Sequence, residues 1–221
     1  MNVKQRIAGM KNYAYTNARV RAMRGNLITD QEYRKLSKMD LAEIAEFLEN
    51  RGYREEIDEL GADHRGAELI ERAVRQNLAA TYRKLMRISP EPVQELLSLY
   101  YRAFDIENLK IVLRQVVRGG EGDIDRMITP TPRFDAETVD RLAGMDDPGQ
   151  VLEAVTVEGF DGDLRGMVDD PSDLAAVEDA LDSYYYTNLV EQIDRVGVNS
   201  DLFREFLQLE AALTNISLIL R

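Results

Sequence analysis

Tyr101-Arg-Ala-Phe104-Asp-Ile-Glu-Asn108-Leu-Lys-Ile-Val-Leu113-Arg114 is a helical phrase that returns near the end of the chain. The second version is Leu209-Glu-Ala-Ala-Leu213-Thr-Asn215-Ile-Ser-Leu-Ile-Leu220-Arg221. An offset of 107 lays Asn215 on Asn108, Ile216 on Leu109, Leu218 on Ile111, Leu220 on Leu113 and Arg221 on Arg114. Nearly the same offset aligns earlier segments. Arg141-Leu142 with Met145-Asp146 lies over Lys35-Leu36 with Met39-Asp40, and Gly159-Phe160 lies over Gly52-Tyr53. Glu178 and Leu181 fall on Glu71 and Val74. A solenoid unit spans about 20–50 residues, so this period marks a duplicated helical domain instead.

The first phrase belongs to a predicted helix from about residue 91 to 117. Val93, Leu97, Tyr100, Tyr101, Phe104, Asn108, Ile111 and Val112 fall on about a third of its circumference. Ser89-Pro90-Glu-Pro92 opens that helix and Gly119-Gly120 stops it. Before it, Thr29 followed by Glu32 is a capping-box pattern. Leu41, Ile44, Ala45 and Leu48 before Gly52 read as an amphipathic helix with a glycine stop. Leu69, Ile70, Ala73, Val74, Asn77, Leu78, Thr81, Leu85 and Ile88 make a long stripe of helical period, and an earlier helix is expected near Lys11 to Gly25. The second copy repeats the plan: short helices over 135–155, a Gly- and Asp-rich loop to Asp170, and long helices over 171–196 and 201–221. No segment alternates as a strand would. The expected fold is all-α: a first helical unit at 1–118, a linker at 119–134 and a second unit at 135–221.

The net charge is −12, unevenly placed. Residues 1–24 hold Lys4, Arg6, Lys11, Arg19, Arg21 and Arg24 and no acid, whereas 121–221 hold 23 acids against seven arginines. The acidic half repels nucleic acid, since phosphate contacts need Lys and Arg. The basic stretch lacks a stacking-aromatic pattern and reads as a basic helix facing an acidic neighbour. With no Cys there is no disulfide framework and no thiolate metal site. No apolar run approaches the roughly 20 residues of a membrane span.

Candidate chemistry reduces to decoys. His64 is the single histidine, a poor metal set by itself. Asp161-Gly-Asp163-Leu-Arg-Gly166 opens like a calcium loop, but the twelfth position is Ser172, where a bidentate Glu is needed. Asp169-Asp170-Pro-Ser-Asp173 matches a magnesium string of prenyl-diphosphate enzymes. Pro171 prevents the helical face that string needs, so Asp170 is expected as an N-cap with Pro171 at the first helical position. No Gly-rich loop ends in Gly-Lys-Ser or Gly-Lys-Thr, so no P-loop is present. No catalytic, metal or cofactor residue is expected. The remaining signal is the repeated Asn and Arg. Asn108 and Asn215 sit in apolar stripes, where an amide is costly unless hydrogen-bonded and can fix helix register. Arg114 and Arg221 lie at the stripe's edge, placed to pack their stems and pair their heads. All four are read as a structural motif.

Tyr13-Ala-Tyr15-Thr-Asn17-Ala-Arg19-Val-Arg21-Ala, then Met39-Asp40 with Phe47-Leu48, then Phe104-Asp105-Ile-Glu-Asn108-Leu with Leu113-Arg114, resembles the C subunits of the archaeal-type (A/V-type) rotary ATP synthases. It is similar also to the d subunits of eukaryotic V-type ATPases. The resemblance implies an all-α, non-catalytic collar built as a funnel from three similar units. Such a collar sits on the membrane rotor ring, receives the central stalk, and couples proton or sodium flow to ATP synthesis. It implies protein partners within the rotary complex, peripheral membrane association at the cytoplasmic face, and no cofactor, nucleic acid or small-molecule substrate. No ring or stalk contact residue carries over, because the matched positions look like core. This chain departs from the pattern: it has two units, and Ala212 stands where the first has Asp105. Either the chain is a fragment or a third unit is encoded elsewhere, and self-association of the 221-residue chain and fraying near Leu218 to Arg221 are expected. From other classes, the alternatives are a stand-alone helical adaptor for a soluble partner and a magnesium-dependent enzyme.

Overall fold

Helices account for every regular element in the described part of the chain. The computed structural model describes residues 3–120, 122–157, 160, 162–193, 195 and 203–210, with side chains from Tyr13 onward except at Val157. In order they form α1 (Val3–Arg24), α2 (Asp30–Leu36), α3 (Leu41–Leu48), α4 (Arg54–Leu60), α5 (Gly66–Ile88), α6 (Glu91–Val117), α7 (Ala136–Ala143), α8 (Pro148–Val157) and α9 (Leu174–Ile193). Residues 203–210 are also helical. There is no strand among the described residues. The all-α expectation holds. Asn215, Arg221, Ala212 and the stretch Leu218–Arg221 lie outside the described residues.

Helix caps fall at corresponding positions of the two sequence copies. Glu32 N–H donates to Thr29 Oγ1 at 3.4 Å while Thr29 N–H donates to the Glu32 carboxylate at 2.9 Å, closing the capping box that opens α2. Asp40 and Glu43 close another at α3, both bonds 2.9 Å. In the second copy Asp135 accepts from Thr138 N–H at 2.8 Å before α7, and Asp147 accepts from Gln150 N–H at 3.1 Å before α8. Each cap satisfies helix-start amides that otherwise lack partners, typically contributing about 1 kcal/mol. The copies then diverge. Gly52, at φ 92°, turns the chain from α3 into α4, a conformation that disfavours any side chain. Gly159, its counterpart, lies outside the described residues; the stretch that corresponds to the end of α4 holds a 3₁₀ turn, Arg165–Met167, where Asp163 accepts from Gly166 N–H at 2.9 Å.

Two expected boundaries move. α1 starts at Val3, earlier than the apolar pattern indicated. α9 starts at Leu174, not Pro171. Asp170 instead accepts from Ser172 N–H in a turn at 2.9 Å, and Asp173 accepts from Ala176 N–H at 3.2 Å as the cap. Pro171 therefore belongs to the turn before the helix.

The chain divides into two compact units. The first comprises Met1–Pro90 with Glu121–Asp140. Its core is Leu48, Ile57, Leu69 and Ala73 from α3, α4 and α5, ringed by Ile28, Ile44, Phe47, Tyr53, Leu60 and Ile70. Burying a Leu or Ile side chain in it contributes about 1.5–3 kcal/mol. The segment after Gly120, expected as a linker, lies along α5 as a strap. Arg72 Nη2 meets Asp123 at 2.8 Å, Arg126 meets Glu71 at 2.6 and 3.0 Å, and Arg75 donates to Thr129 Oγ1 at 3.2 Å. Ile124, Ile128 and Phe134 of the strap are buried.

The second unit comprises Glu91–Gly120 with Arg141–Arg221. Here α6 packs along α9 and against α8. α9 presents Val177, Leu181, Tyr185, Leu189 and Ile193 at four-residue spacing, all buried. The single stripe expected on α6 is too narrow. From Asp105 to Val116 the helix is buried on most sides, including Asp105, Lys110 and Gln115, whereas Phe104 and Ile111 are only half-buried. These units group α6 with α8 and α9, whereas the sequence copies place it with α5.

Candidate functional site

The repeated phrase forms one wall of a charged seam between α6 and α9. On α6, Glu107, Lys110 and Arg114 follow at spacings of three and four, which places them on one flank of the helix. On α9, Glu178 and Asp182 are four apart and face them. The Arg114 guanidinium grips Glu178 with two parallel bonds, Nε to Oε1 at 2.6 Å and Nη2 to Oε2 at 2.7 Å. Lys110 Nζ reaches Asp182 at 2.5 Å and Glu107 at 2.9 Å. Fork-shaped pairing fixes direction as well as distance, so the seam sets the register of α9 against α6.

Lys110 is the buried member: its side chain is 6% exposed. Burial works against its charge, but bonds to Asp182 and Glu107 outweigh that cost and hold its pKa above the ordinary lysine value. The bond to Glu178 raises Arg114 further, against a smaller opposing effect of burial. Asn108 is 1% exposed, as the apolar stripe predicts for a register-fixing amide, and it is engaged in an interaction rather than free. Farther up α6, Tyr100 donates its hydroxyl to Glu210 at 3.0 Å. Burial and that bond push its pKa up to about 12. Tyr185 of α9 donates to the Tyr100 carbonyl at 3.3 Å, and burial raises its pKa as well.

Of the four motif residues, Asn108 and Arg114 lie in or beside this seam. Asn215 and Arg221 fall outside the described residues. Asp182 and Lys110 were not singled out in the sequence, and Glu178 stood out there only through the repeat offset. The signal for them was present: acids at four-residue spacing on one long helix and cations at matching spacing on another.

Among the described residues, groups able to do chemistry do not converge. His64 Nδ1 lies 2.7 Å from Glu68 on the next helical turn. Among the described residues no cluster of three or more His, Asp or Glu side chains is placed to hold a metal. A cavity of about 120 Å³, lined by Tyr186, Leu189, Val190, Ile193 and Leu207, has apolar walls. It is small beside ligand sites of about 300–1,000 Å³. Among the described residues no helix is long and apolar enough to cross a membrane.

Residues 16–221 match the family model described as ATP synthase (C/AC39) subunit. The C subunit of the A-type ATP synthase of Halobacterium salinarum is 34% identical over 221 residues, covering 97% of this chain and 63% of the relative. The protein of the same name from Methanococcoides burtonii is 32% identical over 212 residues, covering 95% of this chain and 59% of the relative. That of Methanosarcina mazei is 31% identical over 210 residues, covering 94% and 58%. The chain thus spans about three-fifths of the length of these curated relatives. The match over nearly the whole chain shows that it belongs to the ATP synthase (C/AC39) subunit family.

Proposed function

We propose that this chain is a non-catalytic central-rotor subunit of an A-type ATP synthase: a collar coupling the central stalk to the membrane rotor ring, bound peripherally at the cytoplasmic face. The family match over residues 16–221 carries this reading. The seam supports it. A torque-bearing part needs long helices that cannot slip past one another, and Arg114–Glu178 with Lys110–Asp182 tie α6 to α9 at two successive levels. Its partners on this reading are rotor-ring and central-stalk subunits, and its motif residues Asn108, Arg114, Asn215 and Arg221 are structural. Affinity purification of the tagged protein from its own cells tests this. Ring and stalk subunits are expected to co-purify in fixed proportion. A soluble partner in their place overturns the collar and favours the adaptor.

A further inference from the structure

The two longest acid-free stretches of the chain are 1–29 and 72–90, and they fold against each other. Thr16 on α1 donates its hydroxyl to the Ile88 carbonyl at 2.6 Å, bringing α1 to the last turn of α5. The expected acidic neighbour of α1 is therefore not α5, whose end carries Arg83, Lys84 and Arg87. Arg19, Arg21, Arg24, Arg83 and Arg87 are all exposed. Among the described residues none of these five takes part in an ion pair, although the chain has 40 acids.

The outward face of α1 has a defined relief. At about 100° per residue, Thr16, Val20 and Met23 turn toward the body, and Ala14, Ala18, Ala22 and Gly25 lie opposite. Those four are exposed. Arg21 and Arg24 flank this floor on one side, Tyr15 and Arg19 on the other. Small residues let a second helix approach closely, and arginine forks match carboxylates.

We propose that the outward face of α1 is a docking surface for an acidic helix of a partner protein. Carboxylates of that helix pair with Arg19, Arg21 and Arg24 over the floor of Ala14, Ala18, Ala22 and Gly25. Charge complementarity selects the occupant: a basic face on a chain of net charge −12 attracts carboxylates locally. A lipid surface fits less well, because the face lacks the Leu, Phe and Trp that anchor an interfacial helix. Nucleic acid fits less well because the rest of the chain repels its phosphates. This docking surface goes beyond the rotor reading and stands without it.

The test measures binding of the folded protein to three probes: a stapled helical peptide of Glu-Ala-Ala-Glu-Ala-Ala-Ala repeats, phosphatidylglycerol vesicles, and a short DNA duplex. The peptide is expected to bind best. The variant Arg19→Glu/Arg21→Glu/Arg24→Glu is expected to weaken it about tenfold or more, with strong salt dependence. The control Arg34→Glu/Lys35→Glu/Lys38→Glu makes the same change in net charge elsewhere and is expected to leave binding unchanged. If the α1 variant fails to fold, the milder Arg21→Gln/Arg24→Gln neutralises the same face, with a smaller loss. The proposal is overturned if the peptide does not bind, if the control weakens binding as much as the α1 variant, or if vesicles or duplex bind more tightly than peptide.

Discussion

α9 and α5 occupy equivalent places in the two copies, and their fates differ. At the offset of 107, Val177, Leu181, Tyr185, Leu189 and Ile193 of α9 fall on Ile70, Val74, Leu78, Tyr82 and Met86 of α5. All five on α9 are buried; none of the five on α5 is, and Val74 and Leu78 are 41% and 36% exposed. The charges differ too. Glu178 and Asp182 correspond to Glu71 and Arg75. On α9 that pair of acids meets Arg114 and Lys110 of a packed helix. On α5, Glu71 takes Arg126 from the strap and Arg75 bonds Thr129. The lesson is that a periodic apolar stripe states which face a helix is able to bury. Whether that face is buried depends on what packs against it.

The sharpest break of this comparison is a pair of truncations. Leu181→Ala empties a site that is 2% exposed and is expected to cost about 2–5 kcal/mol of stability. Val74→Ala, its counterpart, is expected to stay within about 0.5 kcal/mol. Denaturant titration of both variants decides; equal costs would mean that the two faces are not different environments.

Next in size is Asn108→Leu. The protein should remain helical by circular dichroism and lose about 1–3 kcal/mol, because the amide's partner is left unsatisfied. An unchanged or higher melting temperature removes the amide from the register contacts.

Double-mutant cycles compare the two arginine forks. Arg114 with Glu178 should show a coupling of up to about 1 kcal/mol, since both are partly exposed. Arg126 with Glu71 should couple less and lose its coupling first as salt rises, because that pair is more exposed. The reverse order would place the stronger clamp on the strap.

The pH profile separates the regions with the smallest effects. Tyr100 ionises near 12 in the folded protein and near 10 in the unfolded chain, so unfolding releases its proton between those values. Stability therefore falls as pH rises from about 10 toward 12. Tyr185 acts in the same direction. Lys110 does too: its contribution is full below the unfolded value of 10.5 and is lost above its raised folded value. On the acid side, the bond from Arg126 lowers Glu71, whose contribution is present above 4.5 and lost as pH falls through its folded value. Tyr100→Phe should flatten only the alkaline limb of melting temperature against pH, and Glu71→Gln only the acid limb.

Local signals carried most of the fold. Thr29–Glu32, the proline pair at Pro90 and Pro92 and the glycines after Val117 set helix ends through chemistry within a few residues, and those ends agree with the structure to a residue or two. Asp170 competed with Asp173 for one cap, and sequence alone favoured the acid next to proline. The seam was harder to see. Lys110 sits inside an apolar phrase, and its partner Asp182 comes from 72 residues away on α9. The strap looked like a linker because Gly and Pro mark turns equally well whether or not Ile124, Ile128 and Phe134 between them find a core.

The strap has a consequence for how the chain is made. The first compact unit closes only when residues 121–140 return to it, yet all of α6 is synthesised in between. At about 5–20 residues per second, the ribosome spends a few seconds on that detour. During it Glu71 lacks Arg126, and the sites that later receive Ile124, Ile128 and Phe134 stand open while α6 is already emerging without α9. The two units are therefore interleaved in time as well as in sequence, and no single cut in the chain yields either unit whole.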